Sequence, residues 1–141
     1  MRNYRIIILG DSGGSFSKKT GNNFPITPPP FNTDRALETL DKLIALRPEI
    51  VCYSHFGYTY DAVKKLGFYR EELQTWAEVV EKGVKEGMDH NGVWEMLKEQ
   101  DPILRLSLDE DDSRRRTAMP NIIGLMEYTK WKLKEEAAKS S

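Results

Sequence analysis

Two short segments of the chain have the same plan. Each begins with an apolar, β-branched run, and a side chain that can bind a metal ion comes after the run, with a glycine close by. The segments are Ile6-Ile7-Ile8-Leu9-Gly10-Asp11 and Ile50-Val51-Cys52-Tyr53-Ser54-His55-Phe56-Gly57. A carboxylate binds or bridges cations, and a neutral imidazole offers one directional bond that suits zinc or iron. A buried strand that ends at such a residue presents it at the sheet edge where open α/β folds carry their chemistry. Asp11 and His55 therefore form one candidate metal site.

The elements that must position these two residues form a β-α-β unit. The pattern predicts one strand over residues 4–10 and another beginning at Ile50. Between them, a predicted helix is capped at Asn32 or Thr33, stops at Arg47-Pro48, and has an apolar face formed by Leu37, Leu40, Leu43 and Ile44. Strands joined through a crossover helix lie parallel, almost always with a right-handed connection. Asp11 and His55 should therefore reach the same edge of the sheet.

The segment between the first strand and this helix, residues 11–32, is predicted to be a long irregular loop. Its centre is rich in proline and carries two aromatic residues, Phe24 and Phe31. Long loops of this kind inside a compact domain are commonly functional. Two interpretations remain open, one in which the loop forms a substrate wall and one in which it covers the crossover helix.

After Gly57 the pattern becomes helical. It predicts a short helix over residues 59–66 stopped by Gly67, a longer one over 70–86, another over 91–100, and a last helix that opens at Pro120. His90 is predicted to lie exposed at a helix start, and Trp76, Trp94 and Trp131 to be core or interface anchors. The basic run 114–116 follows the acidic run 109–112, which predicts a surface loop with balanced charges. We expect a β-α-β region over 1–68 and a helical extension over 69–141, packed as one compact domain.

Composition places the chain among ordinary globular proteins. It has 141 residues, of which 30% are charged and 39% hydrophobic, and its formal net charge is −1. That balance offers no global electrostatic case for binding nucleic acid or an anionic membrane. The single cysteine, Cys52, is expected to be a small core residue, and no run approaches the length of a membrane span. We expect a cytoplasmic protein.

The sequence lacks the residues that a phosphate-binding loop or a serine nucleophile would require. A phosphate-binding loop after the first strand would need Gly-Lys-Ser/Thr, but Ser15-Phe16-Ser17 occupy those positions. Ser12 as a nucleophile lacks a strand-to-helix elbow and the partners of a triad. Neither phosphoryl transfer nor serine hydrolysis is therefore predicted.

Four ordered motifs resemble one known family. Gly10-Asp11-Ser12-Gly13-Gly14, the loop Phe24-Pro25-x-Thr27-Pro28-Pro29-Pro30-Phe31, the helix segment Ala36-Leu37-x-x-Leu40-Asp41-Lys42-Leu43, and Ser54-His55-Phe56-Gly57 are similar to the carboxyl-terminal half of metallo-β-lactamase-fold hydrolases. The similarity covers roughly residues 4 to 90. It implies an α/β fold, namely half of an αββα sandwich that begins with a short βαβ unit and continues into a helical carboxyl-terminal extension.

The resemblance also implies roles for individual residues. In that family the aspartate of the Gly-Asp motif bridges two metal ions and the later histidine binds the second, which gives these roles to Asp11 and His55. The implied cofactor is a dinuclear centre of zinc, iron or manganese. Separately, Phe24 and Phe31 of the aromatic loop, together with Tyr58, are candidates for substrate contact.

The chain departs from the family in its other ligands. The family signature His-x-His-x-Asp-His is absent, and the only histidines are His55 and His90. A catalytic zinc normally has three protein ligands plus water. We therefore expect weak or absent metal binding by this chain alone. The chain would then be a truncated product, one half of a split enzyme, or a relic retained for another purpose, and a first-half signature is expected in the upstream DNA.

Two hypotheses of function follow. The first is a metal-dependent hydrolase acting on an ester, thioester, amide or phosphodiester of a small molecule, represented here by its carboxyl-terminal half and inactive alone. The second is a non-catalytic helical interaction or assembly module descended from that fold. Because two strands make a marginal sheet, we also expect a homo-oligomer or a separate amino-terminal half as partner.

Overall fold

The structure is a computed structural model that describes residues 1–16, 21, 23–54, 57–108 and 113–140. Its elements are β1 (Ile6–Leu9), a 3-10 turn (Asp11–Gly13), β2 (Ser15–Phe16), β3 (Asn23–Phe24), α1 (Thr33–Ala45), β4 (Ile50–Tyr53), β5 (Gly57–Tyr60), α2 (Ala62–Lys85), α3 (His90–Gln100), α4 (Pro102–Leu106) and α5 (Ser113–Lys139). The fold is thus mixed α/β, with a small sheet and mostly helices. Within the described residues, no helix combines the length and apolar character that a membrane span requires.

The chain divides into two compact units. The first consists of Met1–Ile26 with Asp34–Gln74, and the second of Thr27–Thr33 with Thr75–Ser141. Helix α2 accordingly belongs to the first unit up to Gln74 and to the second from Thr75.

The sheet of the first unit confirms the predicted β-α-β arrangement. Strands β1 and β4 are parallel, and α1 lies between them in the chain. The register places Ile6 beside Ile50 and Leu9 beside Tyr53. Helix α1 begins at Thr33 and ends before Pro48, as its capping and proline signals predict. Its Leu40 is 1% exposed, which confirms the predicted apolar face of the helix.

The prediction of a helix over 59–66 holds from Ala62, where α2 begins, but is wrong for the residues before it. Residues Gly57–Tyr60 instead form β5, which pairs antiparallel with β4 and completes a sheet in the order β1-β4-β5. Aromatic and β-branched side chains such as those of Tyr58 and Thr59 favour a pleated strand. The open edge of β4 supplied the backbone partner that the local pattern could not show.

The predicted stop at Gly67 is also wrong, because α2 runs without interruption from Ala62 to Lys85. The side chains that continue its buried stripe across this position include Leu66 and Leu73, each 0% exposed, and Tyr69, which is 3% exposed. Glycine inside a helix costs about 1 kcal/mol relative to alanine. Burial of this stripe outweighs that cost, so Gly67 is not a break.

The segment 11–32 is more regular than predicted. It contains the 3-10 turn Asp11–Gly13 and an antiparallel pair of two-residue strands, β2 and β3, with Ser15 beside Phe24. Its later part docks on α5, where the Thr27 amide donates to Asn121 Oδ1 (2.7 Å) and Thr27 Oγ1 donates to the Asn121 carbonyl (2.8 Å). Gly124 makes room for this approach, because a Cβ there would overlap the Thr27 carbonyl.

The second unit is helical and is organised around a buried aspartate. Helix α3 packs against α4 and α5. Asp101, 1% exposed, lies at the junction of α3 and α4. One of its oxygens accepts from the amides of Ile103 (2.9 Å) and Leu104 (3.2 Å), and the other accepts from Trp76 Nε1 (2.8 Å). This carboxylate therefore caps α4 and ties it to α2.

Helix α5 begins seven residues earlier than predicted, at Ser113, so Pro120 lies inside the helix. The basic run 114–116 is therefore in its first turns and not in a surface loop, while the acidic run 109–112 lies outside the described residues. Proline removes one helical hydrogen bond. The buried side chains of Ala118, Ile122 and Leu125, at helical spacing on both sides of the proline, show why the helix continues.

Gly67→Ala should raise the free energy of unfolding by about 1 kcal/mol, because alanine is the better helix former. An added Cβ at Gly67 meets nothing within 4 Å. Urea denaturation measures the change. The matched control is Gly87→Ala, which also has open space but a φ of +75°, so it should lower stability. A loss of stability in Gly67→Ala would contradict a continuous α2.

Asp101→Ala should lower the free energy of unfolding by about 3 kcal/mol or more, because it removes a helix cap and leaves the buried Trp76 N–H without its acceptor. The control is Asp89→Ala. Asp89 caps α3 from an exposed position by accepting from the Gly92 amide (2.8 Å), so its loss should cost about 1 kcal/mol. Equal losses measured by chemical denaturation would contradict the central role given to Asp101.

Candidate functional site

The candidate site lies at the carboxyl edge of the parallel strand pair. Leu9 and Tyr53 are register partners at the ends of β1 and β4, so the chain leaves both strands side by side. Ser54 Oγ donates a hydrogen bond to the Leu9 carbonyl (2.8 Å), which ties the two strand ends together. Asp11 is the second residue after β1, and His55 occupies the equivalent sequence position after β4.

The 3-10 turn after β1 orients Asp11 outward. Asp11 is exposed, whereas Gly13 and Gly14 are buried. Gly14 has a φ of +76° and its amide donates to the Asp11 carbonyl (3.0 Å). A Cβ on Gly14 would lie 2.5 Å from both the Phe24 carbonyl oxygen and Tyr69 Cε2, so only glycine lets the turn pack this closely. The Gly-Gly pair thus fixes the position from which the Asp11 carboxylate projects.

The ring of Tyr69, on α2, packs against this turn at Gly14. The sequence analysis did not identify this residue. Burial raises the pKa of its phenol, the negative charge of Asp11 raises that pKa further, and a hydrogen bond from the Ile26 backbone opposes both effects. The phenol therefore stays protonated beside the Asp11 carboxylate. A continuous helical stripe through Leu66 and Leu73 would have indicated Tyr69, but the predicted break at Gly67 concealed it.

Asn23 is a second residue that sequence analysis missed. It is 6% exposed, and its Nδ2 donates to the Gly13 carbonyl (2.6 Å). Burial raises the pKa of Tyr53, and a hydrogen bond with the Asn23 side chain lowers it. One amide therefore links the glycine turn to the end of β4. The residue types of Gly-Asn-Asn are typical of a turn. Nothing in that local sequence indicates that the Asn23 side chain links two parts of the fold.

The predicted site residues have different surroundings. His55 lies outside the described residues, and Asp11 is exposed at the sheet edge. Phe24 is 5% exposed in the first unit, Phe31 is half-buried in the second, and Tyr58 is 66% exposed on β5. Phe31 and Tyr58 thus have the accessibility that contact with a substrate requires, whereas Phe24 is a core side chain.

Metal-binding groups do not cluster in the part of the chain that the structure describes. No three His, Cys, Asp or Glu side chains among those residues come together in a way that could hold a metal ion. Cys52 is half-buried within β4, and His90 opens α3 in an exposed position. The described residues thus present one accessible carboxylate at the edge, supported by buried tyrosines, and do not by themselves make a metal centre.

Comparison with known proteins supports the fold. No family model matches the chain, and none of the curated proteins matches it. Among solved structures, an archaeal metallo-β-lactamase superfamily protein from Sulfolobus tokodaii is similar, with a TM-score of 0.50 and 20% sequence identity. The similarity covers 86% of this chain and 38% of the other. The described fold is therefore consistent with part of a metallo-β-lactamase fold, and the chain spans well under half the length of that relative.

The raised pKa of Tyr69 predicts how stability depends on pH. Unfolded tyrosine ionises near pH 10, whereas buried Tyr69 keeps its proton to higher pH, so the unfolded state loses the proton first. The stabilisation is complete below about pH 10 and is lost as pH rises above it, by about 1.4 kcal/mol per pH unit. Tyr69→Phe should remove this contribution from stability curves measured by urea denaturation between about pH 9 and 11.

The matched control is Tyr4→Phe, which changes an exposed tyrosine of the same unit. Its stability should follow that of the parent chain across the same pH range. Tyr69→Phe should also lose stability at neutral pH, since the Ile26 amide loses an acceptor, but this offset is independent of pH. An unchanged alkaline slope in Tyr69→Phe would contradict the assignment.

Proposed function

We propose that this chain is the carboxyl-terminal part of a metal-dependent hydrolase of the metallo-β-lactamase superfamily. In this proposal, Asp11 and His55 are metal ligands at the carboxyl edge of the β1–β4 pair. The substrate is a small molecule with an ester, thioester, amide or phosphodiester bond. The bound metal, zinc, iron or manganese, would supply a nucleophilic hydroxide and stabilise developing negative charge.

One observation carries this proposal: the parallel register that brings Leu9 beside Tyr53. The ends of β1 and β4 are therefore neighbours, and in the sequence Asp11 and His55 each lie two residues beyond one of these ends. The similar fold of the archaeal superfamily protein supports the same interpretation. The Asp11 carboxylate projects from a turn whose buried glycines leave it little freedom to move.

The described residues do not fit a complete dinuclear centre, because they provide no cluster of three or more ligands. A complete site would therefore need ligands beyond those that the described residues provide. On its own, this chain would hold Asp11 accessible for binding, keep Tyr69 protonated behind it, and catalyse no hydrolysis. The same ligand count favours the second candidate function, a non-catalytic interaction module that retains the fold.

Titration of the purified chain with zinc, followed by calorimetry, tests the proposal. We expect a dissociation constant of about micromolar or weaker, because two ligands cannot enforce the geometry of a tight site. Asp11→Asn and His55→Ala should each weaken binding by at least about tenfold, the scale seen when even outer ligand partners are lost. Hydrolysis of an activated ester by the chain alone should stay at the rate without protein.

The control variant is Asp61→Asn. Asp61 is an exposed aspartate of the same unit with a φ of 58°, a conformation that asparagine also accepts. Its zinc affinity should equal that of the parent chain. Equal affinity in the parent chain and Asp11→Asn would exclude Asp11 as a ligand and favour the interaction module, whereas one or two tightly held equivalents of zinc would show a more complete site than we propose.

A further inference from the structure

One face of the sheet in the first unit is apolar and, among the described residues, largely exposed on its two outer strands. The register aligns Ile6 with Ile50 and Tyr60, and Ile8 with Cys52 and Tyr58. Paired residues in neighbouring strands point to the same side, and side chains alternate between faces along each strand. These six residues, Ile6, Ile8, Ile50, Cys52, Tyr58 and Tyr60, therefore form one surface, which we call the open sheet face.

The two sides of the sheet differ sharply in burial. On the opposite side, Leu9 is 4% exposed, Val51 is 0% exposed and Tyr53 is 7% exposed. On the open sheet face, Ile8 is 81% exposed and Tyr58 66% exposed, and both Ile6 and Tyr60 keep more than half of their surface. In the central strand, Ile50 is 9% exposed and Cys52 is half-buried, so the exposed apolar surface of this face belongs to the side chains of β1 and β5.

The area of the open sheet face is on the scale of an interface. An aromatic side chain has roughly 150–250 Å² of surface, so Tyr58 and Tyr60, at 66% and 58% exposure, present roughly 200–300 Å². Ile6 and Ile8 add to this area, as does Tyr4, which is 46% exposed and two residues before Ile6. Monomeric proteins rarely expose a contiguous apolar patch larger than about 300–600 Å². A standard interface buries about 800 Å² per partner, of which the two tyrosines alone would supply roughly a quarter to a third.

The chemistry of this face suits a second copy of itself. None of its six residues carries a charge at neutral pH. Isoleucines line its β1 side and tyrosines its β5 side, with Cys52 of β4 between them. A two-fold axis parallel to β4 would place the isoleucines of one copy against the tyrosines of the other. Aliphatic side chains would then pack on aromatic rings in both halves of an isologous interface.

We propose that two copies of this chain dimerise through the open sheet face, packed sheet on sheet. Sheets packed in this way lie about 10 Å apart. The central position of Cys52 puts the two cysteines of such a dimer opposite each other near the axis. The proposal concerns a partner and is independent of the metal ligands proposed above.

Pairing through the free edge of β1 is a weaker alternative. It would extend the sheet by backbone hydrogen bonds, yet it would leave Ile8 and Tyr58 as exposed as before. Only contact between the faces removes this apolar surface from water. The exposed side chains therefore favour face packing over edge pairing.

Two measurements on the full chain test the proposal. Multi-angle light scattering at tens of micromolar should give twice the chain mass of 16.3 kDa. A short bismaleimide should link Cys52 to Cys52 of the second copy, so that a denaturing gel shows a dimer band. Cys52 is the only cysteine in the chain, so this product reports a single pair of positions.

Ile8→Glu should convert the dimer to a monomer and abolish the cross-link, because it puts a carboxylate against an aromatic surface. Ile8 is 81% exposed on an outer strand of the described sheet, and circular dichroism will confirm that the variant folds. The control is Leu46→Glu, which adds the same charge at a residue that is 63% exposed after α1 and should leave both the dimer and the cross-link intact.

Three outcomes would overturn the proposal. A monomeric parent chain would assign the face to a sheet of another polypeptide. A dimer that survives Ile8→Glu and yields no Cys52 cross-link would indicate edge pairing. Loss of the dimer in Leu46→Glu but not in Ile8→Glu would place the interface elsewhere. Mass and zinc affinity are separate readouts, so failure of this proposal is distinguishable from failure of the proposed hydrolase site.

Discussion

The parallel pairing of β1 with β4 is the constraint on which the first unit depends. Its register sets Leu9 beside Tyr53, which brings two chain exits to one edge and leaves the outer edge of β4 free to pair with β5. The same register sorts the side chains into a covered face and an open one. The candidate metal ligands and the proposed dimer surface are therefore two consequences of one alignment of strands.

The edge of this sheet is held by close packing more than by charge. Gly13 and Gly14 let the turn lie against Tyr53 and Tyr69, where any Cβ would overlap an aromatic ring. Asn23 closes the arrangement by donating to the Gly13 carbonyl. Such packing gives the turn that carries Asp11 a defined position. A carboxylate held in this way is suited to accept a cation and is equally tolerable as an exposed surface residue.

Ligand number and surface chemistry are the two observations behind the proposals of a partner. The described residues offer no group of three metal ligands, and the similar archaeal protein is much longer, with this chain covering 38% of it. The open sheet face likewise exposes apolar side chains to solvent. A second sheet, from another copy or from a different polypeptide, would bury that surface. It would give the three-stranded sheet a covering layer on its exposed face.

The sequence by itself determined the elements whose signals are local. The apolar run before Asp11 and the proline limit of α1 each predicted what the structure contains, because strand burial and helix termination depend on near neighbours. These elements also predicted that Asp11 and the end of β4 lie at the same edge of the sheet, as the register of β1 and β4 shows. The ligand role of His55 stays a prediction, since it lies outside the described residues.

Tertiary structure alone decided the elements in which packing overrides local preference. Residues Gly57–Tyr60 became a strand because β4 offered a free edge, and α2 passed through Gly67 because Leu66, Tyr69 and Leu73 are buried together along one stripe. Helix α5 likewise continues through Pro120. Glycine and proline carry costs of only about 1 and 3 kcal/mol in a helix, which a few buried side chains offset. The helical spacing of these side chains is visible in the sequence, but whether their burial outweighs the glycine or the proline depends on long-range contacts, which only the tertiary structure shows.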